Sequence, residues 1–130
     1  FIVLNGDTFT PIDKGNLIKC HIQNNANITI NLTKTDHNDR FGSVSVSKKG
    51  LITSFDEKKD LNQYINTGVY IINKSVLKNI NKKFQNLETD LFPNLCNESL
   101  YGYSSPFSDF VDIGIPESYQ TAYQIIKKYI

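Results

Sequence analysis

The sequence predicts an α/β fold, a mixed β-sheet with flanking helices. Three observations carry that expectation. Two short apolar runs, "FIVLNGD" and "FVDIG", each end in an aspartate close to a glycine, the pattern of strands buried on both faces. Residues 27–35, "NITINLTKT", alternate apolar and polar, and "SVSVS" and "LITSF" flank the turn "KKG". The last fifteen residues, "PESYQTAYQIIKKYI", carry helix signals at both ends.

Taken in order, "FIVLNGD" reads as a buried strand of the parallel-sheet kind, ending in a turn. Residues 14–25, "KGNLIKCHIQNN", place Leu17, Ile18 and Ile22 on one side of a modest helix. In residues 27–35, Ile28, Ile30 and Leu32 share one face, which predicts a half-buried strand. "DHNDRFG" is a polar loop closed by a glycine. The pair around "KKG" reads as a hairpin with a glycine turn. "YINTGVYIIN" (64–73) is a further strand, and Gly68 inside it marks a bulge or a close backbone approach. "SVLKNI" and "ETDLFPNL" read as short helices, the second with acidic residues suited to a helix N-terminus. "FVDIG" is a short strand. Pro116 opens the last helix, Glu117 lies in its first turn and two lysines lie near its end.

The 130 residues suffice for one domain with one core, and we expect a single domain over 1–130. Hydrophobic content of 39% and charged content of 21% are those of an ordinary globular chain. A formal net charge of +1 offers no electrostatic footprint for a nucleic acid or a membrane surface. No apolar run approaches the roughly 20 residues of a membrane span. Cys20 and Cys96 follow no metal spacing and read as free thiols of a reducing compartment, the cytoplasm. His21 and His37 lack ligand spacing and read as structural or solvated.

The residues that carry chemistry stand at strand ends. Asp7 and Asp112 each follow a short apolar run, and ligands of open α/β sheets bind beyond the carboxyl ends of strands. Two carboxylates delivered there suit one Mg²⁺, which keeps its other positions for water and phosphate oxygens. Turn or cap aspartates are the other reading of the same residues. Glu57 and Lys58 end "LITSFDEK"; a lysine there offers a point charge for phosphate and a carboxylate an acceptor for hydroxyls, or both are a solvated strand end. Gly42 and Gly68 offer close backbone approach, or plain turn geometry. Glu88 offers a ligand contact, or a helix N-terminal charge.

The order "LNGD … RFG … FDEK … NTGVYIIN … ETDLFPNL … FVDIGIPESYQTA" resembles the sugar-1-phosphate nucleotidyltransferase family over nearly the whole chain. It is most similar to the D-glycero-D-manno-heptose 1-phosphate guanylyltransferase branch. The resemblance implies a partial Rossmann-like nucleotidyltransferase fold. It also implies a role for each matching position. Asp7 and Asp112 would bind Mg²⁺, Gly42 would offer its backbone to the sugar, Glu57 would bind sugar hydroxyls and Lys58 the sugar phosphate. Asn66, Thr67 and Gly68 would line the sugar pocket, with Thr67 where alanine is expected, and Glu88 would add a further contact. With Asp7, Lys58 and Asp112 as the catalytic set, a sugar 1-phosphate and a nucleoside triphosphate, GTP in the heptose branch, would give a nucleotide sugar for surface-polysaccharide synthesis.

The family's glycine-rich loop, of the type G-G-x-G-T-R-L, has no match in this sequence. We therefore expect a C-terminal sugar-phosphate- and metal-binding portion, inactive alone and self-associating through an exposed first strand. Alternatives are a mannose- or glucose-1-phosphate nucleotidyltransferase fragment, or a non-catalytic binding or assembly module with the same fold.

Overall fold

A computed structural model describes residues 1–34, 41–56, 64–78, 80 and 86–130. Among the described residues, eight strands and four α-helices follow one another. β1 (Ile2–Leu4) and β2 (Thr8–Phe9) precede α1 (Lys14–Gln23), and β3 (Ile28–Lys34), β4 (Ser43–Val46), β5 (Ile52–Asp56) and β6 (Tyr64–Ile72) follow. Then come α2 (Lys74–Leu77), a π-helical turn (Leu87–Leu91), α3 (Phe92–Leu95), β7 (Leu100–Ser104), β8 (Val111–Asp112) and α4 (Pro116–Ile126), with a 3₁₀ turn over Lys127–Tyr129. The mixed α/β architecture is the one expected, and the hairpin β4–β5 forms as read, with Gly50 in its turn at φ +81°. β7, which no pattern singled out, completes the sheet.

The main sheet runs β5-β4-β6-β3-β7, with β1 on β6. Only β3 and β7 are parallel; the other pairs are antiparallel. One edge of β6 takes two partners end to end. Ile2–Leu4 pair with Val69–Ile71, while Ser43 and Val44 pair with Ile65 and Tyr64. Asn66–Gly68 therefore lie between the end of one partner strand and the start of the other. On the opposite edge, the β3 register shifts between Ile30 and Leu32, across the same stretch. A small second ribbon, β2 with β8, stands beside this gap.

Helices cover both faces. On one, Ile28, Ile30, Leu32, Val44, Ile52, Tyr70, Ile72 and Leu100 pack with Val76 of α2 and Phe92 of α3. Phe92 stacks on Phe55 and tilts against Tyr70, with centroids 5.7 and 5.4 Å away. On the other face, Leu17 of α1 packs with Val69 and Ile71.

Three local expectations are corrected. β1 is antiparallel rather than of the parallel-sheet kind buried on both faces; Phe1, Ile2 and Leu4 are exposed, in keeping with the exposed first strand expected above. β3 is buried on both faces instead of half-buried: Thr29, Asn31 and Thr33 lie inward, bonded to His21, Thr67 and the Phe107 carbonyl, while the Asn31 Oδ1 is left without a partner among the described residues. α1 buries Leu17 and His21, leaving Ile18 and Ile22 outside. His21 takes the inner position because its Nδ1 meets Thr29 Oγ1 at 2.8 Å.

Candidate active site

The chain's two ends meet where the β2–β8 ribbon forms. Thr8 pairs with Asp112 and Phe9 with Val111, and Ile113 donates its N–H to the Asp7 carbonyl at 2.8 Å. These ladder contacts set Asp7 and Asp112 on adjoining strand ends. The Asp112 Oδ1 accepts the Gly114 N–H at 2.8 Å, and Ser118 Oγ donates to the Asp112 carbonyl. Both bonds lock the turn into α4. A Cβ at position 114 would lie 2.9 Å from Asp112 Oδ1, so the glycine of "DIG" leaves the carboxylate its place.

A cavity of about 190 Å³ opens beside this pair. Asn5, Asp7, Thr8 and Asp112 line it from the strand ends, Asn66 and Gly68 from β6, Glu88 from the π-helical turn, and Phe41 and Phe110 from flanking segments. Gly68 has φ +76°, where side chains are strained. A Cβ on it would fall 2.6 Å from Asn5 Nδ2. The close approach expected at this glycine is therefore made by Asn5, whose main-chain N–H also bonds the Gly68 carbonyl at 2.8 Å.

Asn66 organises the wall facing Glu88. Its Oδ1 accepts the Gly68 N–H at 2.9 Å, which fixes the amide orientation. Its Nδ2 donates to Glu88 Oε1 at 2.7 Å and to the Tyr70 hydroxyl at 2.9 Å. Tyr70, 1% exposed, donates to the same Glu88 oxygen at 3.4 Å. Burial, assisted by the negative charges of Glu88 and Asp7 and opposed by the Asn66 bond, pushes the Tyr70 phenol up to about 12. Glu88 itself is presented by its turn, where Asn86 Oδ1 accepts the N–H groups of Glu88 and Thr89 at 2.7 and 3.3 Å.

Five of the residues singled out from sequence thus share one cavity: Asp7, Asn66, Gly68, Glu88 and Asp112. Thr67 is not among its lining residues. Strand alternation turns its side chain to the α1 face, where it is fully buried, donates to the Asn31 carbonyl and accepts from Asn31 Nδ2, both at 2.9 Å. It supports the wall from behind. Gly42 is exposed and does not line the cavity, although its neighbour Phe41 does. Glu57, Lys58 and His37 lie outside the described residues. Sequence reasoning missed Asn5, Thr8, Phe41, Tyr70 and Phe110. Asn5 and Thr8 flank the glycine-aspartate pair already singled out, so the signal lay beside them. Phe41 and Phe110 meet edge to face, centroids 5.1 Å apart, and only folding shows that contact.

Among the described residues, no three His, Cys, Asp or Glu side chains converge as a metal-binding group. The donors that the cavity offers near the ribbon are the two aspartates and amide and hydroxyl oxygens, without sulfur or imidazole. That is a hard-oxygen set and fits Mg²⁺ with water filling most of its positions.

The architecture is that of the nucleotidyltransferases. Residues 1–128 match the Nucleotidyl transferase family model, and the chain belongs to that family. It is 30% identical over 132 residues to the D-glycero-alpha-D-manno-heptose 1-phosphate guanylyltransferase of Aneurinibacillus thermoaerophilus, a match covering 99% of this chain and 56% of the relative. A probable mannose-1-phosphate guanylyltransferase 2 of Oryza sativa subsp. japonica is 31% identical over 129 residues, 96% of this chain and 36% of that protein. Among solved structures, HddC from Yersinia pseudotuberculosis superposes with a TM-score of 0.79 at 27% identity, over 100% of this chain and 55% of that one. HddC has also been solved complexed with GMP-PN. The chain therefore spans about a third to a little over half the length of the proteins it matches.

Proposed function

We propose that this chain supplies the sugar-phosphate and metal side of a sugar-1-phosphate guanylyltransferase. The substrates are D-glycero-D-manno-heptose 1-phosphate and GTP, and the products are a nucleotide sugar and pyrophosphate for surface-polysaccharide synthesis. The observation that carries the reading is the β2–β8 ribbon, which brings Asp7 and Asp112 from opposite ends of the sequence to one cavity. The heptose and mannose 1-phosphate guanylyltransferases among its relatives support the same reading.

In the reaction, a phosphate oxygen of the sugar 1-phosphate attacks the α-phosphorus of the triphosphate. A new P–O bond forms and the bond to pyrophosphate breaks. The nucleophile is already an anion, so no covalent enzyme intermediate is required and catalysis rests on alignment and charge neutralisation. Asp7 and Asp112 would hold Mg²⁺, which when bound neutralises phosphate charge. Glu88, fixed through one oxygen by Asn66 and Tyr70, keeps its other oxygen for a sugar hydroxyl. Gly68 lets Asn5 lie against the cavity wall. Glu57 and Lys58 take the roles that the family pattern gives them, hydroxyl acceptor and phosphate cation. Gly42 presents main chain beside Phe41.

The experiment is a Mg²⁺-dependent binding titration of the purified chain with a GDP-sugar, repeated with Asp112→Asn. Asparagine keeps an oxygen for the Gly114 N–H, so the ribbon persists while the charge is lost. Binding that needs Mg²⁺ and falls at least about tenfold (roughly 1.4 kcal/mol) in the variant supports the reading. Unchanged, metal-independent binding would favour a non-catalytic module.

A further inference from the structure

The chain contains a single Asn-Gly pair, Asn5–Gly6. The fold leaves it at the last main-chain tie of β1. The Asn5 N–H bonds the Gly68 carbonyl at 2.8 Å, and the chain then bends through Gly6 and Asp7. Both residues of the pair are exposed, and a Cβ at position 6 would find nothing within 4 Å. The Asn5 amide lies over Gly68 and lines the cavity.

We propose that Asn5 is a site of spontaneous deamidation that acts on the cavity itself. The Gly6 main-chain nitrogen loses its proton and attacks the Asn5 Cγ. A C–N bond forms, the side-chain nitrogen leaves as ammonia, and a five-membered succinimide results. Water then adds to either ring carbonyl and opens it to aspartate or to isoaspartate. Nothing is oxidised or reduced. Glycine favours the first step because no Cβ shields the attacking nitrogen or restricts the backbone rotation that ring closure needs.

Two consequences follow from where the residue sits. Either product adds a carboxylate to a cavity already lined by Asp7, Glu88 and Asp112. The isoaspartyl product also inserts a methylene into the main chain, lengthening it by about 1.5 Å. That insertion falls two residues before Asp7, whose carbonyl is held by the Ile113 N–H at 2.8 Å. The modification therefore bears on the strand end that delivers Asp7. This chemistry does not depend on the transferase reading and stands or falls without it.

The test is incubation of the folded chain at mildly alkaline pH, with peptide mapping by mass spectrometry and an isoaspartate assay. A urea-denatured sample runs in parallel. Asn5 is expected to convert first among all asparagines of the folded chain, yielding both acids. Gly6→Ala, which the open space accommodates, is expected to slow conversion by roughly an order of magnitude through the shielding methyl group. Folding of that variant is checked by circular dichroism, and Asn5→Gln, which must abolish the early phase, gives a second reading. The proposal is overturned if Asn5 stays intact in the folded chain while the denatured sample converts, or if another asparagine of the folded chain converts faster.

Discussion

Replacing Gly68 by alanine places a methyl group where Asn5 already lies. The new Cβ would stand 2.6 Å from Asn5 Nδ2, 2.7 Å from Cγ and 2.8 Å from Cβ, distances that real Cβ contacts do not sustain. The backbone there has φ +76°, which costs a residue with a Cβ roughly 1–2 kcal/mol. Pushing Asn5 aside adds an overpacking penalty of about 1–3 kcal/mol. Asn5 cannot move freely, since its N–H bonds the Gly68 carbonyl at 2.8 Å. The expected loss is therefore about 2–5 kcal/mol. Urea denaturation measures it as a lower midpoint at unchanged slope. Gly6→Ala is the control, because nothing lies within 4 Å of its Cβ position. That change should be neutral or stabilise by up to about 1 kcal/mol through the unfolded chain. A Gly68→Ala loss within about 0.5 kcal/mol, the range of an ordinary surface substitution, would refute the close-approach argument.

Further outcomes test other parts of the molecule. Tyr70→Phe removes a donor to Glu88 and an acceptor for Asn66 and should cost about 1 kcal/mol by thermal or urea denaturation; the same variant should weaken GDP-sugar binding, since Glu88 loses one of two groups that hold it. The Tyr70 phenol is raised to about 12, so the folded state favours its neutral form. Its contribution to stability is complete below the ordinary phenol value of 10.0 and is lost as pH rises from there towards 12, and Tyr70→Phe should flatten that limb of the stability curve. Burial lowers the His21 pKa below its ordinary 6.5. That contribution is complete above 6.5 and is lost as pH falls below it, so denaturation midpoints should drop in mild acid and drop less in His21→Gln.

What the sequence discloses follows from how each residue acts. Asp7 and Asp112 are legible because each closes a short apolar run beside a glycine, and a strand end in an α/β sheet is where chemistry is placed. Gly68 is legible because a glycine inside a strand has few reasons to be there. The second buried face of β3 is not legible in the same way. Thr29, Asn31 and Thr33 look solvent-facing by polarity, yet each finds a partner inside: His21 of α1, Thr67 of β6 and the Phe107 carbonyl. Alternation reports only which side chains are apolar, not whether a polar one can be satisfied inside. The same logic hides the orientation of α1, where the stripe of Ile18 and Ile22 is as apolar as the one chosen. The Thr29 hydroxyl, eight residues away from His21, decides between them.

The cavity shows the division most sharply. Its charged and glycine positions lie at discontinuities of the backbone, so a linear reading reaches them. Its aromatic wall does not. Phe41 stands two residues before β4, and Phe110 precedes a two-residue strand. They meet only because the β2–β8 ribbon carries the second beside the start of β4. An edge-to-face pair adds about 0.5–1.5 kcal/mol beyond its burial, enough to hold the wall in one arrangement. Each polar residue of this site is thus marked by its own local sequence, while the aromatic shape of the wall is made by packing. On the proposed function, substitutions at Phe41 or Phe110 should therefore change which GDP-sugar binds in a titration before they change its Mg²⁺ dependence.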